Sequence, residues 1–326
     1  MTRRFLGLAL TALAVALAAS DALAQQKLKF AHVYEISEPY HKWAVWAAEE
    51  LPKRTGNRYT MEVFPASTLG KETDINQGLT LGTVDIIYTG AAFAGRSYGP
   101  ISIGTAPYML RDYDHWKKYH QQSDLFKELA EGYRKATQNK IVSALYYGQR
   151  HVPSNKPISK PADMAGLKIR VPDAPLYVMF PKSVGANATP IAFAEVYLAL
   201  QQGTVDAQEN PLPTIYAKKF YEVQKYINLT GHVTETLFTI VGGPLWGRLS
   251  DQDKKAVEQL FQEAALKSND EIVAQEKALV GEFEKLGKTV NKDVDRAAFR
   301  EAAMKLHMGP DVKWTKEQYD RLQAIK

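Results

Sequence analysis

Apolar and polar positions alternate along this chain with two periods. Leu28 to His32 alternates as a short strand, and Pro39 to Thr55 sets Trp43, Val45, Trp46, Ala48 and Leu51 along one helical stripe. Arg58 to Phe64 alternates again, which gives β-α-β. Glu72 to Leu81 is a second helical stretch stopped by Gly82, and Val84 to Tyr88 is a solid apolar strand. This succession predicts an α/β layer with a largely parallel sheet. Farther on, Val257, Leu260, Phe261, Ala264, Ile272, Leu279, Phe283 and Leu286 recur at helical spacing between Ser250 and Gly287. Ser250 suits an N-cap with Asp253 at N3, and at ~1.5 Å per residue the helix is on the order of 50 Å long. A helix of that length outreaches one lobe and is expected to brace two. Asp295 to His307 is a further helical stretch, and the polar end after Pro310 is expected to wrap the surface.

One corner occurs twice. Leu79-Thr80-Leu81-Gly82-Thr83-Val84-Asp85 and Leu200-Gln201-Gln202-Gly203-Thr204-Val205-Asp206 each end a helix on glycine and lead into an apolar strand. An internal duplication and a recurring αβ turn both fit this pair. Either way, two similar corners suit two similar lobes.

The amino terminus adds a location. Arg3 and Arg4 precede an apolar run from Phe5 to Ala19, and Ala22-Leu23-Ala24 is a small-x-small cleavage site, so residues 1–24 read as a secretory leader. The run falls short of the roughly 20 residues of a membrane anchor. The expected mature protein begins at Gln25 and is soluble and periplasmic. The chain has no cysteine, so the hydrophobic core rather than disulfides must supply its stability. About 300 mature residues favour two domains. The formal charge is +5, and loss of Arg3, Arg4 and Asp21 with the leader leaves +4. Lys117-Lys118 is the densest basic cluster, so no nucleic-acid partner is expected. A mild positive field suits a receptor for anions.

Few motifs carry chemistry. Gly95-Arg96-Ser97-Tyr98-Gly99 matches the G-x-S-x-G elbow of serine hydrolases, but Ala91 to Ala94 separates it from the strand and Pro100 follows closely. The seven histidines include no H-E-x-x-H, and His115 and His120 are expected on a solvated helix. Walker A, G-x-G-x-x-G and EF-hand patterns are absent, so no metal site, cofactor or catalytic residue is expected. Arginines are more informative. Arg150 follows the strand-like Ile141 to Tyr147, and Arg170 lies in Leu167-Lys168-Ile169-Arg170-Val171-Pro172. A cation among apolar residues needs a counter-charge, which an internal carboxylate or a ligand's carboxylate can supply. Asn210, in Gln208-Glu209-Asn210-Pro211, falls at the carboxyl end of a strand, where open α/β sheets bind ligands.

Tyr147-Gly148-Gln149-Arg150-His151, Gly166 to Pro172, Gly185-Ala186-Asn187-Ala188-Thr189-Pro190 and Glu195 to Pro211 together resemble the signature run of the tripartite ATP-independent periplasmic (TRAP) transporter receptors of the DctP type. Phe64-Pro65-Ala66-Ser67-Thr68-Leu69-Gly70 and the long helix agree. The resemblance implies a two-lobed venus-flytrap binding protein with a long bracing helix, open when empty and shut around an organic acid. The implied boundaries are 25–148 with about 236–275 for one lobe, 149–235 with about 276–303 for the other, and a wrap over 304–326. It implies Arg170 as the carboxylate clamp, Arg150 as a second cationic contact, Asn210 beside them, Phe193 on the ligand body and Glu72 on ligand hydroxyls or water. Tyr34 and His232 complete the expected site. The partners implied are a small organic carboxylate and the membrane subunits of the transporter, with the ion gradient as the driving force. With two arginines at site positions, a monocarboxylate (aromatic, keto or hydroxy acid) is favoured over a sugar acid or C4-dicarboxylate. A monomer is the default, and an extracytoplasmic serine hydrolase or an adhesive or sensory module is the rival class.

Overall fold

The computed structural model describes residues 25–326, and the expected leader lies outside the described residues. Ten strands form one curled sheet: β1 (Gln26–Ala31), β2 (Tyr59–Phe64), β3 (Ile86–Gly90), β4 (Lys140–Ser154), β5 (Lys168–Val171), β6 (Asn187–Pro190), β7 (Ala207–Gln208), β8 (Asn210–Pro211), β9 (Tyr226–Val241) and β10 (Thr289–Asn291). Their order is β2-β1-β3-β9-β4-β7-β5-β6, with β10 on β9 and β8 on β4. Apart from β10, which runs parallel to β9, the sheet is parallel only in its two outer thirds. β2-β1-β3 and β7-β5-β6 are parallel sets, and the long β4 and β9 run antiparallel between them. The expectation of a largely parallel sheet is corrected accordingly, because β4 and β9 each cross from one lobe to the other.

The two outer sets have one topology. β1 is flanked by β2 and β3 as β5 is flanked by β6 and β7. The repeated corner sits at the same point in each. Gly82 and Gly203 take φ of +76° and +71°, the left-handed region that glycine enters without a Cβ clash. Thr83 N–H donates to Gly78 O and Thr204 N–H to Ala199 O, each at 2.9 Å. Asp85 Oδ2 accepts from Lys29 N at 2.9 Å and Asp206 Oδ2 from Lys168 N at 3.0 Å, so each aspartate ties its corner to the central strand of its set.

Apolar side chains collect in one large cluster around β1, β3 and the first part of β4, and in three smaller ones around β5, around Phe93 and Tyr177, and around the helical segment Val196–Gln201. The helix Asp251–Lys285 is capped by the Ser250 hydroxyl, which accepts from Asp253 N. It buries Leu260, Phe261 and Ile272 in the first cluster and Leu279 and Phe283 in the third, so one rigid rod is packed into both lobes. The polar carboxyl-terminal end is pinned by Trp314 and Leu322, both buried in the first cluster.

The structure differs from expectation at the helix Tyr113–Gln122. It is not a solvated helix: His115 is buried with its Nε2 3.1 Å from Leu322 O, and His120 packs among Trp116, Tyr119, Phe126 and Phe238. The carboxyl-terminal segment covers His115, while Phe126 and Phe238 enclose His120. Ser97 is exposed on a turn between the helix Ala91–Ala94 and the 3₁₀ segment Gly99–Thr105, so no strand-to-helix elbow is formed. No helix among the described residues is long and apolar enough to cross a membrane.

Candidate functional site

The carboxyl ends of the parallel strands of both lobes point at one another. Val33 and Tyr34 follow β1, Gly90 ends β3, Pro172 and Asp173 follow β5, Ala192 and Phe193 follow β6, and Asn210 follows β7. All of them line one cavity of about 40 Å³. This is the crevice where open α/β sheets take ligands. Contacts between the lobes shut it: Arg96 Nη1 donates to Asp173 O at 2.9 Å, Lys218 Nζ meets Glu35 Oε1 at 2.6 Å, and the Thr214 hydroxyl lies 2.6 Å from Glu38 Oε1.

The two arginines have different surroundings. Arg150, 2% exposed in mid-β4, is held by Glu209. Its Nε donates to Glu209 Oε2, and its Nη2 donates to Glu209 Oε1 and Glu209 O, both at 2.7 Å. Burial opposes the charge on both partners, but each overrides it in the other, so Arg150 is raised and Glu209 lowered. Arg170, also 2% exposed, has no such partner. Its Nε and Nη2 donate to Ile191 O at 2.9 and 2.7 Å, and its buried Nη1 bonds nothing among the described residues. Burial, reinforced by Arg150 and opposed by Glu209, brings its pKa down to about 10. A buried cation with an idle donor is costly until an anion arrives.

Other expected residues fall around this pair. Asn210 Oδ1 accepts from Arg150 Nη2 at 3.3 Å, and its Nδ2 donates to Gln208 Oε1 at 2.6 Å, which fixes the amide. Phe193 lies under the Arg170 guanidinium at 5.9 Å and beside Tyr34 at 6.3 Å. Glu72 opens the helix Glu72–Leu81, and its Oε1 accepts from Gly90 N at 2.7 Å and the Thr89 hydroxyl at 2.8 Å. Burial pushes its pKa up to about 7 despite these donors.

Two expected residues stand differently from the rest. Arg150 borders the cavity with its charge already met by Glu209, which binds the Nε–Nη2 edge of its guanidinium and leaves Nη1 3.8 Å from Glu235 Oε2. His232 does not line the cavity. It stacks on Phe180 at 3.8 Å and stands 3.1 Å from Glu209 Oε2, so it backs the carboxylate that holds Arg150. The cause is a bulge: the pairing steps from Arg150↔Val233 to Val152↔Asn228, which throws residues 229–232 out of the ladder. Sequence reasoning also missed Phe93, Tyr147 and Tyr177, which wall the cavity, and the part played by Glu209. Tyr147 stands within a string already singled out. Among the described residues, no group of histidines and carboxylates is arranged to hold a metal ion.

Comparison with known proteins matches this geometry. The family model of the bacterial extracellular solute-binding proteins, family 7 (DctP), covers residues 30–309. A solute-binding protein of Roseobacter denitrificans is 36% identical over 299 residues, 91% of each chain. The C4-dicarboxylate-binding periplasmic protein DctP of Rhodobacter capsulatus is 30% identical over 274 residues, 81% of this chain and 80% of that one. A TRAP periplasmic solute-binding protein from Polaromonas, solved bound to D-erythronate, has a TM-score of 0.87 at 31% identity, covering 93% of this chain and 99% of that one. These relatives bind and deliver solutes and catalyse nothing, which sets the hydrolase reading aside. The chain belongs to the DctP family of TRAP transporter solute-binding proteins.

Proposed function

We propose that this receptor binds a small hydroxylated monocarboxylate, with Arg170 as its carboxylate partner. The observation that carries the reading is the buried, unpartnered Nη1 of Arg170 at the cavity wall, beside an Arg150 whose charge is already met. A carboxylate on Arg170 gains a charge-assisted bond in a dry site. Tyr34, Glu72, Tyr147, Tyr177 and Asn210 supply groups for ligand hydroxyls. The D-erythronate of the Polaromonas relative is a hydroxylated monocarboxylate of this class. The dicarboxylate of the Rhodobacter relative is the second reading.

The remaining steps belong to the same proposal. The leader directs export and is removed before Gln25. The lobes have the boundaries given above and open about β4, β9 and the long helix. Ligand that bridges them favours the shut state through its differential affinity. The shut form docks on the membrane subunits, where the ion gradient drives uptake. The test is a thermal-shift screen of residues 25–326 against hydroxy acids, sugar acids and dicarboxylates, repeated on Arg170→Ala. A ligand at 100 times its Kd adds about 2.7 kcal/mol. Stabilisation by a hydroxy acid that vanishes in the variant is expected. Folded, ligand-free protein that answers to no carboxylate would end the proposal.

A further inference from the structure

Arg150 faces a second carboxylate. Glu235 lies on β9 two residues before Leu237, which lines the cavity, so both side chains are on the same face of the strand. It is 0% exposed. Its Oε1 accepts from the Thr105 hydroxyl and from Thr236 N, each at 3.0 Å. Its Oε2 is 3.8 Å from Arg150 Nη1 and makes no hydrogen bond among the described residues. Arg150 is therefore flanked by Glu209 at one edge and Glu235 at another. Two buried carboxylates, Glu209 and Glu235, and the half-buried Glu72 stand against the two guanidiniums of this site.

We propose that Glu235 is a specificity-determining residue that keeps a second ligand carboxylate out of this cavity. The inference rests on the monocarboxylate reading above and names the group that enforces it. A dicarboxylate anchored on Arg170 needs another cation for its far end. Arg150 is the buried candidate, and two glutamates already offset its charge. Lys71, the remaining cation on the wall, is 58% exposed and paired with Glu195 at 3.4 Å, so it stays in water at the mouth. Repulsion between Glu235 and an incoming carboxylate is poorly screened in this water-poor space. The groups that face Glu235 are Arg150 from β4, Tyr177 from the turn after β5, Glu72 from its helix and Thr105 from the 3₁₀ segment. Burial raises the carboxyl of Glu235, and Arg150 only partly opposes this. The barrier is thus at full strength at alkaline pH and weakens as pH falls.

The experiment uses matched pairs. D-Erythronate and meso-tartrate share a four-carbon chain and differ in whether the far end is a hydroxymethyl or a carboxylate. L-Galactonate and galactarate make a six-carbon pair. Calorimetric Kd values are compared for the mature protein and Glu235→Gln. The wild type should favour the monocarboxylate of whichever pair it binds. In the variant, the dicarboxylate should gain roughly tenfold or more relative to the monocarboxylate. A wild-type preference for the dicarboxylate, or a ratio unchanged in the variant, overturns the role of Glu235 while the receptor reading stands. If the wild type binds none of the four acids or any other carboxylate, the receptor reading falls and this inference with it. Should Glu235→Gln not fold, Glu235→Ser decides by the same pair of Kd values: the ratio must shift toward the dicarboxylate, and an unchanged ratio overturns the proposal.

Discussion

At the scale of single residues, the two arginines predict opposite responses to the same substitution. Arg150→Met removes the partner of Glu209 and leaves that carboxylate buried without its counter-charge, a loss on the order of 3–5 kcal/mol. Arg170→Met removes a buried cation whose Nη1 has nothing to bond, so the unliganded protein should keep or raise its denaturant midpoint while carboxylate binding is lost. Urea melts of both variants without ligand check the contrast, and equal destabilisation would contradict the division of roles. Arg170 was legible in the sequence because a guanidinium between Ile169 and Val171 in a short strand demands an explanation. Glu209 was not read as the partner of Arg150. The two are 59 residues apart, and only the docking of β8 on β4 brings them together. Glu235 went unread for the same reason. Sheet order sets such contacts, and local spacing does not encode it.

At the scale of elements, amphipathic periodicity found the segments with one wet face. The helix Glu72–Leu81 falls where the pattern put it, and Asp251–Lys285 lies within one residue of expectation at each end. β9 was missed, and only the first half of β4 was read as a strand. Both cross the interior, where polar residues such as Arg150, His232, Thr234 and Glu235 are as buried as their apolar neighbours, so alternation disappears. Glycines inside helices carry a prediction of their own. A Cβ at Gly281 in the long helix meets no atom within 4 Å, so Gly281→Ala should stabilise by about 0.5–1 kcal/mol through helix propensity. Gly132 looks the same in sequence, but a Cβ there would lie 2.4 Å from the Tyr98 hydroxyl. Gly132→Ala must therefore displace that ring and should destabilise. Opposite signs in the two denaturant midpoints are the expected result.

At the scale of the molecule, the buried titratable groups set how stability depends on pH. All seven histidines have lowered pKa values with burial as the largest cause, and His32, His120 and His151 fall to about 3. Burial acts in the other direction on four carboxyls, raising Glu235 and bringing Glu38, Glu72 and Glu276 up to about 7. As pH falls through about 6.5, the unfolded chain protonates His32, His120 and His151 and the folded chain does not, which costs stability. Over the same range the folded carboxyls take up protons before the unfolded ones, which returns some of it. His32, His120 and His151 stay neutral in the fold down to about pH 3, farther from their ordinary value than Glu38, Glu72 and Glu276 at about 7 are from theirs, so the histidines dominate. Stability should therefore be level from about pH 7 to 8.5 and decline below about 6.5. Below about 4.5 it should fall more steeply, because the raised carboxyls are then protonated in both states and no longer compensate. The lowered carboxyl of Glu209 adds to that loss as protonation breaks its pair with Arg150. Urea midpoints measured from pH 8.5 to 4 on ligand-free protein test the sign. A midpoint that rises on acidification from pH 7 to 5 would mean that the carboxyls outweigh the histidines, and that the histidines packed behind the cavity and under the carboxyl-terminal segment are open to water.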